Sequence, residues 1–363
     1  MPRPTCSSGS CCERAGGHPR PVDRASGWCL RHRPGPLRRG PSGYPDQWRA
    51  RPDRGADGQC SGGQRRRRPV VEITTIVPFV FRTSQTMLIA VSGATGTITI
   101  SGAKIPANTP ILTWPDAEIR IEPASSGLRA YLAVHGVIQG DEFLGSVALD
   151  PLIGRGRRLK NGDLVPVTGS EVRENYQMPL FLVTAPQEVY PNTWQLDVLP
   201  GPDIEQFLDF AEDIARHSFT VDTNSDHVGV RLTGPSFARA ITTEILSRGV
   251  PLGAVEQPPT GGPIILMRGR PLTAGYPVPA VVARSSHSAL GQLRPGDTVS
   301  LRMTTPSRSL HLVRTQEERL ADLRRRCSGM FAAGHLFPVR SSDSRRSPLP
   351  TTTQWLPIRE ETP

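Results

Sequence analysis

The sequence predicts a mostly β protein with a barrel-like body, one or two helices and disordered ends. Between residues 70 and 303, short runs of β-branched or alternating apolar residues recur, and Gly or Pro separates them. Residues 1–68 and 305–363 are instead rich in Arg, Pro and Ser. Such segments bury too little apolar surface to offset the entropy lost on ordering. We therefore expect a disordered tail at each end of a strand-rich body.

Ten runs in the central segment predict strands because they combine β-branched residues with alternation. They are residues 87–91, 95–100, 117–121, 128–134, 194–199, 219–221, 228–232, 264–267, 280–283 and 298–303. Residues 204–216 carry apolar side chains at helical spacing and predict a helix, with Asp203 as its candidate N-cap. A second, short helix is predicted over residues 316–326. Many short strands and few helices together indicate a barrel-like body.

The positive charge of the chain lies in one tail. The 363 residues have a formal net charge of +10, and residues 1–68 alone hold fifteen Arg against five acidic residues. Residues 69–324 carry a net charge of −3. A nucleic-acid-binding domain needs its positive charge on the folded surface that meets phosphate. We therefore predict no nucleic-acid partner.

Cysteine usage and hydropathy exclude several further classes. Five of the six cysteines precede residue 61 and the sixth is Cys327, so the body needs neither disulfides nor a thiolate metal site. His135, His217, His227 and His287 lack the spacing of a metal site, and no metal is predicted. No run of 18 apolar residues and no signal-peptide core occurs, so we expect a cytoplasmic protein without a membrane span.

Motifs for nucleotide, metal and nucleophile chemistry are missing from the sequence. It contains no Walker A motif, no three-glycine dinucleotide fingerprint, no HExxH and no GxSxG. The lysine motif of a biotin carrier is also missing. We therefore expect that this chain alone neither binds ATP nor carries biotin covalently.

Several segments carry a more specific signal when taken together. They read SSGLRAYLAVHG at 125–136, LPGP at 199–202, DHVGVRL at 226–232, SRGV at 247–250, GAVEQPP at 253–259, GGPIIL at 261–266, TAGYP at 273–277 and QLRPGD at 292–297. Their order and spacing resembles the A/B half of the biotin-dependent carboxyltransferase domain. That family includes allophanate hydrolase subunit 2, the C subunit of 5-oxoprolinase and kinase-inhibitor antagonists. The resemblance covers residues 70–304.

The resemblance implies two cyclophilin-like β-barrel subdomains, over residues 69–186 and 187–304, the first of them incomplete. It implies a partner similar to allophanate hydrolase subunit 1 or to the B subunit of 5-oxoprolinase, with the A subunit of that enzyme as a third component. ATP would then act through the complex, and biotin on a partner. The reaction would be ATP-dependent opening of a lactam, or carboxylation or hydrolysis of a urea-like substrate. The alternatives are a non-catalytic regulator that binds a kinase-inhibitor partner, and an inactive truncated member.

Physical roles follow for the residues in the matching segments. Asp226 and Arg231 are the candidate catalytic residues, with Asp226 orienting Arg231 or accepting a proton. The candidate substrate-binding residues offer guanidinium, phenol, amide and hydroxyl groups or a flexible backbone, and are Arg129, Tyr131, Gln257, Thr273, Gly275 and Tyr276. Structural roles stay open as alternatives: an inter-subdomain or surface salt bridge for the arginines, and turn or strand-end roles for the others.

The sequence departs from the family pattern at three places. Residues 269–277 read GRPLTAGYP where the family usually has DRQTTGGYP, and residues 256–258 read EQP where it usually has QVP. The opening motif of the family is not readable in residues 1–68. We hypothesise that a frameshift or wrong start replaced that motif, which resequencing of the locus would test.

Overall fold

The structure is a computed structural model that describes residues 28–31, 68–144, 146–150, 152–169, 188–240, 245–333 and 351–354. Within these ranges strands dominate and three α-helices occur, so the predicted mostly β class is confirmed. Most of the predicted tail 1–68 lies outside the described residues. In the predicted tail 305–363, residues 306–333 form a helix, which corrects the expectation of disorder for that part. Strands β1 (Trp28–Arg31) and β21 (Thr351–Gln354) fall inside those tails and pair with the body.

Three sheets form the first subdomain. The five-stranded sheet has the order β1-β2-β9-β4-β7 and adds β2 (Val70–Thr74), β4 (Leu88–Gly93), β7 (Pro110–Leu112) and β9 (Arg129–Val134) to β1. The four-stranded sheet has the order β3-β8-β5-β6 and comprises β3 (Phe79–Arg82), β5 (Ile98–Ile100), β6 (Ala103–Ile105) and β8 (Glu118–Ile121). The three-stranded sheet joins β21 to β10 (Val137–Ile138) and β11 (Leu164–Thr168).

One apolar core joins these sheets. Strand residues alternate between buried and partly exposed positions, as in β4 and β8, so each strand sends one row of side chains inward. Ile89, Ile119, Leu132 and Val165 come from different strands and pack in the same cluster. Burial of this shared cluster holds the first subdomain together.

Seven strands close the barrel of the second subdomain, in the order β12-β19-β16-β17-β14-β13-β20. They are β12 (Thr193–Pro200), β13 (Ser218–Val221), β14 (Gly229–Thr233), β16 (Ala254–Glu256), β17 (Ile264–Leu266), β19 (Ala280–Val282) and β20 (Thr298–Met303). β12 and β20 pair in parallel and the other neighbours are antiparallel. A separate two-stranded sheet pairs β15 (Arg248–Gly249) with β18 (Thr273–Ala274).

The barrel has an inner and an outer apolar cluster. Its interior is filled by side chains such as Leu196, Phe219, Val255 and Ile265. On the outside, Val250, Ala254, Leu266 and Val278 form a smaller cluster, against which Ala274 and Ile264 pack. β16 is therefore buried on both faces, with Val255 inside the barrel and Ala254 and Glu256 on the outer face.

The helix predicted over residues 204–216 is broken, which corrects the prediction. A 3₁₀ turn (Ile204–Gln206) precedes helix α1 (Phe210–Arg216), and Asp209 between them is left-handed with φ 46°. The break arises because the backbone there pairs with a neighbouring segment: Leu208 N–H donates to Ala238 O, and Gln206 O accepts from Ala240 N–H. The side chain of Asp203 makes no cap hydrogen bond and has another role, described below.

The remaining helices are α2 (His287–Leu290) and α3 (Pro306–Ala333). α3 contains the predicted helix over residues 316–326 and begins ten residues earlier. Pro306 suits a first helical position, and Thr305 Oγ1 accepts a hydrogen bond from Arg308 N–H at 3.2 Å. One face packs on the body, where Gln316 donates to Ser285 O and Val313 is buried. Among the described residues, no helix is long and apolar enough to cross a membrane.

Candidate functional site

The predicted site residues fall in three separate places. Arg129 and Tyr131 lie on β9 of the first subdomain, and Asp226 and Arg231 lie at the hairpin that leads into β14. The other four lie around β16 and β18 and are Gln257, Thr273, Gly275 and Tyr276. Arg231 faces the outside of the same barrel, since it pairs with Ile264, which also pairs with Glu256.

Arg129 joins the two subdomains. Its side chain is 9% exposed; its guanidinium lies 3.3 Å from the Glu72 carboxylate and donates to Gly291 O at 2.5 Å. Gln292 adds three bonds, accepting from the N–H groups of Leu128 and Arg129 and donating to Arg129 O. The salt bridge to Glu72 stays within the first subdomain, and the hydrogen bond to Gly291 O is the side-chain contact that crosses to the second. As a substrate-binding residue, Arg129 stays a prediction.

Tyr131 is half-buried on the same strand, opposite Glu72 and Ser92. Its neighbour across the subdomain boundary is Tyr190, which stacks on Trp194. Burial, and then the charge of Glu188, raise the pKa of the Tyr190 phenol, with a smaller contribution from Tyr131. Tyr190 therefore stays protonated and acts here as a packing residue.

Asp226 has a turn role in the structure. Its Oδ1 accepts the backbone N–H groups of Val228 at 2.7 Å and Gly229 at 3.0 Å, which closes the hairpin before β14. Arg231 is exposed on β14, and its charge contributes to a lowered pKa of Asp222, whose main cause is the Asn224 backbone N–H. The carboxylate of Asp226 is thus occupied locally, and the catalytic role of this pair stays a prediction.

Gln257 and the loop after β18 meet at one peptide group. The Pro277 carbonyl accepts from Gln257 N–H at 3.0 Å, while Val278 N–H, in the same trans peptide unit, donates to Asp203 Oδ2 at 2.7 Å. Gln257 and Asp203 therefore form hydrogen bonds to opposite sides of the same peptide. The Gln257 side chain is buried and its amide bonds Phe237 N–H and the carbonyls of residues 258 and 261.

The loop itself is open to solvent. Thr273 is exposed and pairs with Gly249, and the Tyr276 side chain is 43% exposed. Gly275 runs close to the neighbouring segment, since an added Cβ would lie 3.3 Å from Ile245 O and 3.4 Å from Ser247 Oγ. This loop therefore offers the hydroxyl of Thr273 and the phenol of Tyr276 to solvent.

Three residues of this face were missed by sequence reasoning: Asp203, Arg248 and Glu256. Asp203 was interpreted as an N-cap, yet its buried carboxylate binds Val278 N–H and the Arg248 guanidinium. Arg248 stands within the SRGV segment without any motif of its own. Glu256 had one visible signal, because residues 256–258 depart from the family pattern at that position.

Glu256 is the residue on this face whose pKa lies near neutrality. It is 4% exposed, and its Oε1 has no hydrogen-bond partner among the described residues. Burial raises the pKa of Glu256 to about 7. A carboxyl group with this pKa can both accept and donate a proton at neutral pH. His287, by contrast, is neutral there, because burial lowers its pKa to about 4.

The N-termini of α1 and α2 are poorly suited to bind phosphate. The first turn of α1 carries Glu212 and Asp213, which would repel phosphate, and α2 has only four residues. No group of three His, Cys, Asp or Glu among the described residues is placed to hold a metal ion.

Comparison with known proteins places the chain in a family. The model of the carboxyltransferase domain, subdomain A and B, matches residues 62–303, and the chain belongs to this family. It is 32% identical to the C subunit of 5-oxoprolinase from Escherichia coli K12 over 180 residues, which cover 48% of this chain and 55% of that protein. It is 30% identical to urea amidolyase of Saccharomyces cerevisiae over 262 residues, 64% of this chain and 14% of that enzyme.

Solved structures agree with these relatives. The crystal structure of Kluyveromyces lactis urea amidolyase superposes with a TM-score of 0.63 at 27% identity, covering 71% of this chain and 17% of that enzyme. The chain thus matches about half of the bacterial relative and a small part of the yeast enzymes. The predicted family is confirmed.

Proposed function

We propose that this chain works with partner subunits in the ATP-dependent hydrolysis of a lactam of the 5-oxoproline type. The observation that carries the proposal is Glu256, a buried carboxyl group with a pKa of about 7 on the outer face of the second barrel. The relative that is the C subunit of a 5-oxoprolinase supports the choice of a lactam. The urea amidolyase relatives make a urea-like substrate the nearest variant of the same chemistry.

The chemistry of lactam opening suits such a group. Addition of water to the lactam carbonyl releases a proton, and the ring nitrogen needs a proton when its C–N bond breaks. One carboxyl group with a pKa near neutrality can take the first proton and deliver the second. Glu256 shares its face with Ala254, which packs against Val278 and Ala274 of the loop that carries Tyr276. Substrate held at this loop would lie on the side of the barrel that Glu256 occupies.

The partners would supply what this chain lacks. A protein similar to the B subunit of 5-oxoprolinase, or to allophanate hydrolase subunit 1, would bind this chain, and one similar to the A subunit would be the third component. ATP would sit on a partner, since this sequence contains no Walker A motif, and any biotin would be carried by a partner. ATP on a partner would supply the driving force for opening the lactam and would leave as ADP and phosphate. Because the reaction consumes ATP, we place the complex in the cytoplasm.

The experiment is co-expression with proteins similar to the A and B subunits of 5-oxoprolinase and an assay of 5-oxoproline-dependent ATP hydrolysis. The family usually has Gln at this position, so Glu256→Gln tests whether this chain depends on its own carboxyl group. We expect the rate to fall about a hundredfold, because the amide cannot transfer the proton. Glu205→Gln, on the exposed surface of the same barrel, is the matched control and should keep the rate. A complex that turns over no faster than the partners alone would argue against the proposal, as would full activity of Glu256→Gln.

A regulator that binds a kinase-inhibitor partner is the second candidate. The observation in its favour is that Asp226 is occupied by turn amides and that Gly269 stands where the family usually has an acid. This candidate predicts a stable complex with a partner and no 5-oxoproline-dependent turnover. The same assay therefore separates the two functions.

A further inference from the structure

A buried aspartate organises the surface beside the Tyr276 loop. Asp203 has a side chain that is 4% exposed, and its Oδ2 binds both Val278 N–H and the guanidinium of Arg248. Its Oδ1 accepts from Gln206 Nε2 at 3.2 Å. Three donors thus compensate this buried carboxylate and fix it in place.

The arginine that it holds is partly open to solvent. The Arg248 side chain is 37% exposed, and β15 sets it directly opposite Ala274 of β18. A guanidinium has five N–H donors in a planar fork. The bond to Asp203 uses one edge of that fork, so the remaining edge can face a ligand.

A second guanidinium belongs to the same network. Gln206 Oε1 accepts from Arg239 at 2.9 Å, while the amide nitrogen of Gln206 donates to Asp203. Gln206 therefore links Arg239 to the carboxylate that holds Arg248, so both guanidinium groups belong to one hydrogen-bonded network.

The Pro277–Val278 peptide, which is hydrogen-bonded on both sides, relates the position of Arg248 to that of Glu256. Asp203 holds the N–H side of the Pro277–Val278 peptide and Gln257, the residue after Glu256, holds its carbonyl side. Arg248 and Glu256 therefore flank one short segment, which follows directly on Tyr276. Arg129 lacks this placement, since it is buried at the subdomain boundary.

We propose that Arg248, oriented by Asp203, binds the carboxylate of a small-molecule substrate at this face. The proposal rests on the proposed function and names the residue that would recognise the carboxylate of a 5-oxoproline-type lactam. Asp203 is the positioning residue, and Arg248 is the binding residue. Bidentate arginine–carboxylate pairs combine charge with a defined geometry, so they discriminate strongly against an uncharged amide.

The test measures binding of 5-oxoproline and of its carboxamide, 5-oxoprolinamide, to the full chain in complex with its partner subunits by calorimetry. The wild-type complex should prefer the carboxylate. Arg248→Gln should weaken binding of 5-oxoproline about tenfold or more and leave the carboxamide unchanged. Arg248→Lys, which keeps the charge and loses the fork, should fall between the two.

Arg302→Gln is the matched control. Arg302 pairs with the buried Asp197 and is 47% exposed, so it repeats the chemistry of the Arg248–Asp203 pair on other strands. Its substitution should leave both affinities unchanged. Equal affinity of the wild type for the two compounds would overturn the proposal without any variant. So would an Arg248→Gln complex that folds and still prefers the carboxylate.

The outcomes separate this inference from the proposed function. A complex without 5-oxoproline-dependent ATP hydrolysis that still binds 5-oxoproline through Arg248 contradicts the function and supports the site. Turnover with Arg248-independent binding supports the function and overturns the site. A third outcome is that Arg248→Gln no longer binds the partner subunits and that the wild type shows no preference for the carboxylate. Arg248 would then bind a carboxylate of a partner protein, which would overturn the proposal.

Discussion

At the residue scale, Glu256 links stability to pH. Burial raises its pKa to about 7 in the folded chain, above the ordinary value of 4.5. The folded state therefore holds this proton more tightly than the unfolded state does. Stability contributed by the protonated group is full below pH 4.5, declines as the pH rises to about 7, and is lost above it.

Glu256→Gln should remove this decline, because the amide stays neutral at every pH. At about pH 8 the variant should be more stable than the wild type by about 3 kcal/mol, and at about pH 4 the two should be similar. Urea denaturation of the full chain at both values measures the difference. Glu205→Gln is the exposed control, and an unchanged pH profile in Glu256→Gln would contradict the assignment.

Side-chain identity alone could not separate buried arginines and glutamines from those that the fold leaves open to solvent. Arg129 and Arg248 are both arginines in segments that match the family. The first is buried between subdomains and the second is partly exposed, and only the fold decides which. The Gln257 amide bonds Phe237 N–H and the carbonyls of residues 258 and 261, and its predicted role in substrate binding stays a prediction.

At the element scale, local periodicity predicted strands well and helices less well. The strand runs, such as 128–134 and 298–303, match β9 and β20 because alternation is enforced by burial of one face. Residues 204–216 keep helical periodicity but break at Asp209, because pairing with residues 238–240 uses the backbone groups there. Such long-range pairing leaves no trace in the local sequence.

Gly201 shows how an element end shapes the site. It follows β12, donates to Pro279 O at 2.8 Å, and an added Cβ would overlap Val278 O. Gly201→Ala should therefore destabilise the chain by about 1–3 kcal/mol and displace the Pro277–Val278 peptide, which is hydrogen-bonded to Asp203. Urea denaturation measures the loss, and hydrogen exchange at the Val278 amide reports the displacement.

Gly249→Ala is the control for this substitution, because the nearest atom to its added Cβ is 4.0 Å away. Its stability should stay within about 0.5 kcal/mol of the wild type. Slow exchange of the Val278 amide retained in Gly201→Ala would contradict the close approach.

At the scale of the whole molecule, one glutamine couples the two subdomains. Gln292 is buried and makes three hydrogen bonds with the backbone of Leu128 and Arg129, at 2.9–3.0 Å. Arg294 adds a bond to Ala124 O from the same turn. The turn after α2 thus fastens the second barrel to the start of β9.

Gln292→Ala should cost about 3 kcal/mol or more, because it leaves several buried backbone groups unpaired. We also expect its thermal unfolding to separate into two transitions, since the coupling between subdomains is lost. Calorimetry of the full chain checks both effects. Gln139→Ala is the control, an exposed glutamine with two hydrogen bonds, and a single unshifted transition in Gln292→Ala would refute the coupling.

The sequence by itself determined the family, the mostly β class and the position of most strands, because these follow from alternation, punctuation and ordered motifs along the chain. It also located the charge excess in residues 1–68 rather than in the body. Only the tertiary structure brought Asp203 and Gln257 to the two sides of one peptide of the Tyr276 loop, with Arg248 bound to Asp203. Burial, which raises the pKa of Glu256, and pairing across distant segments arise from contacts far apart in sequence, and no local pattern encodes them.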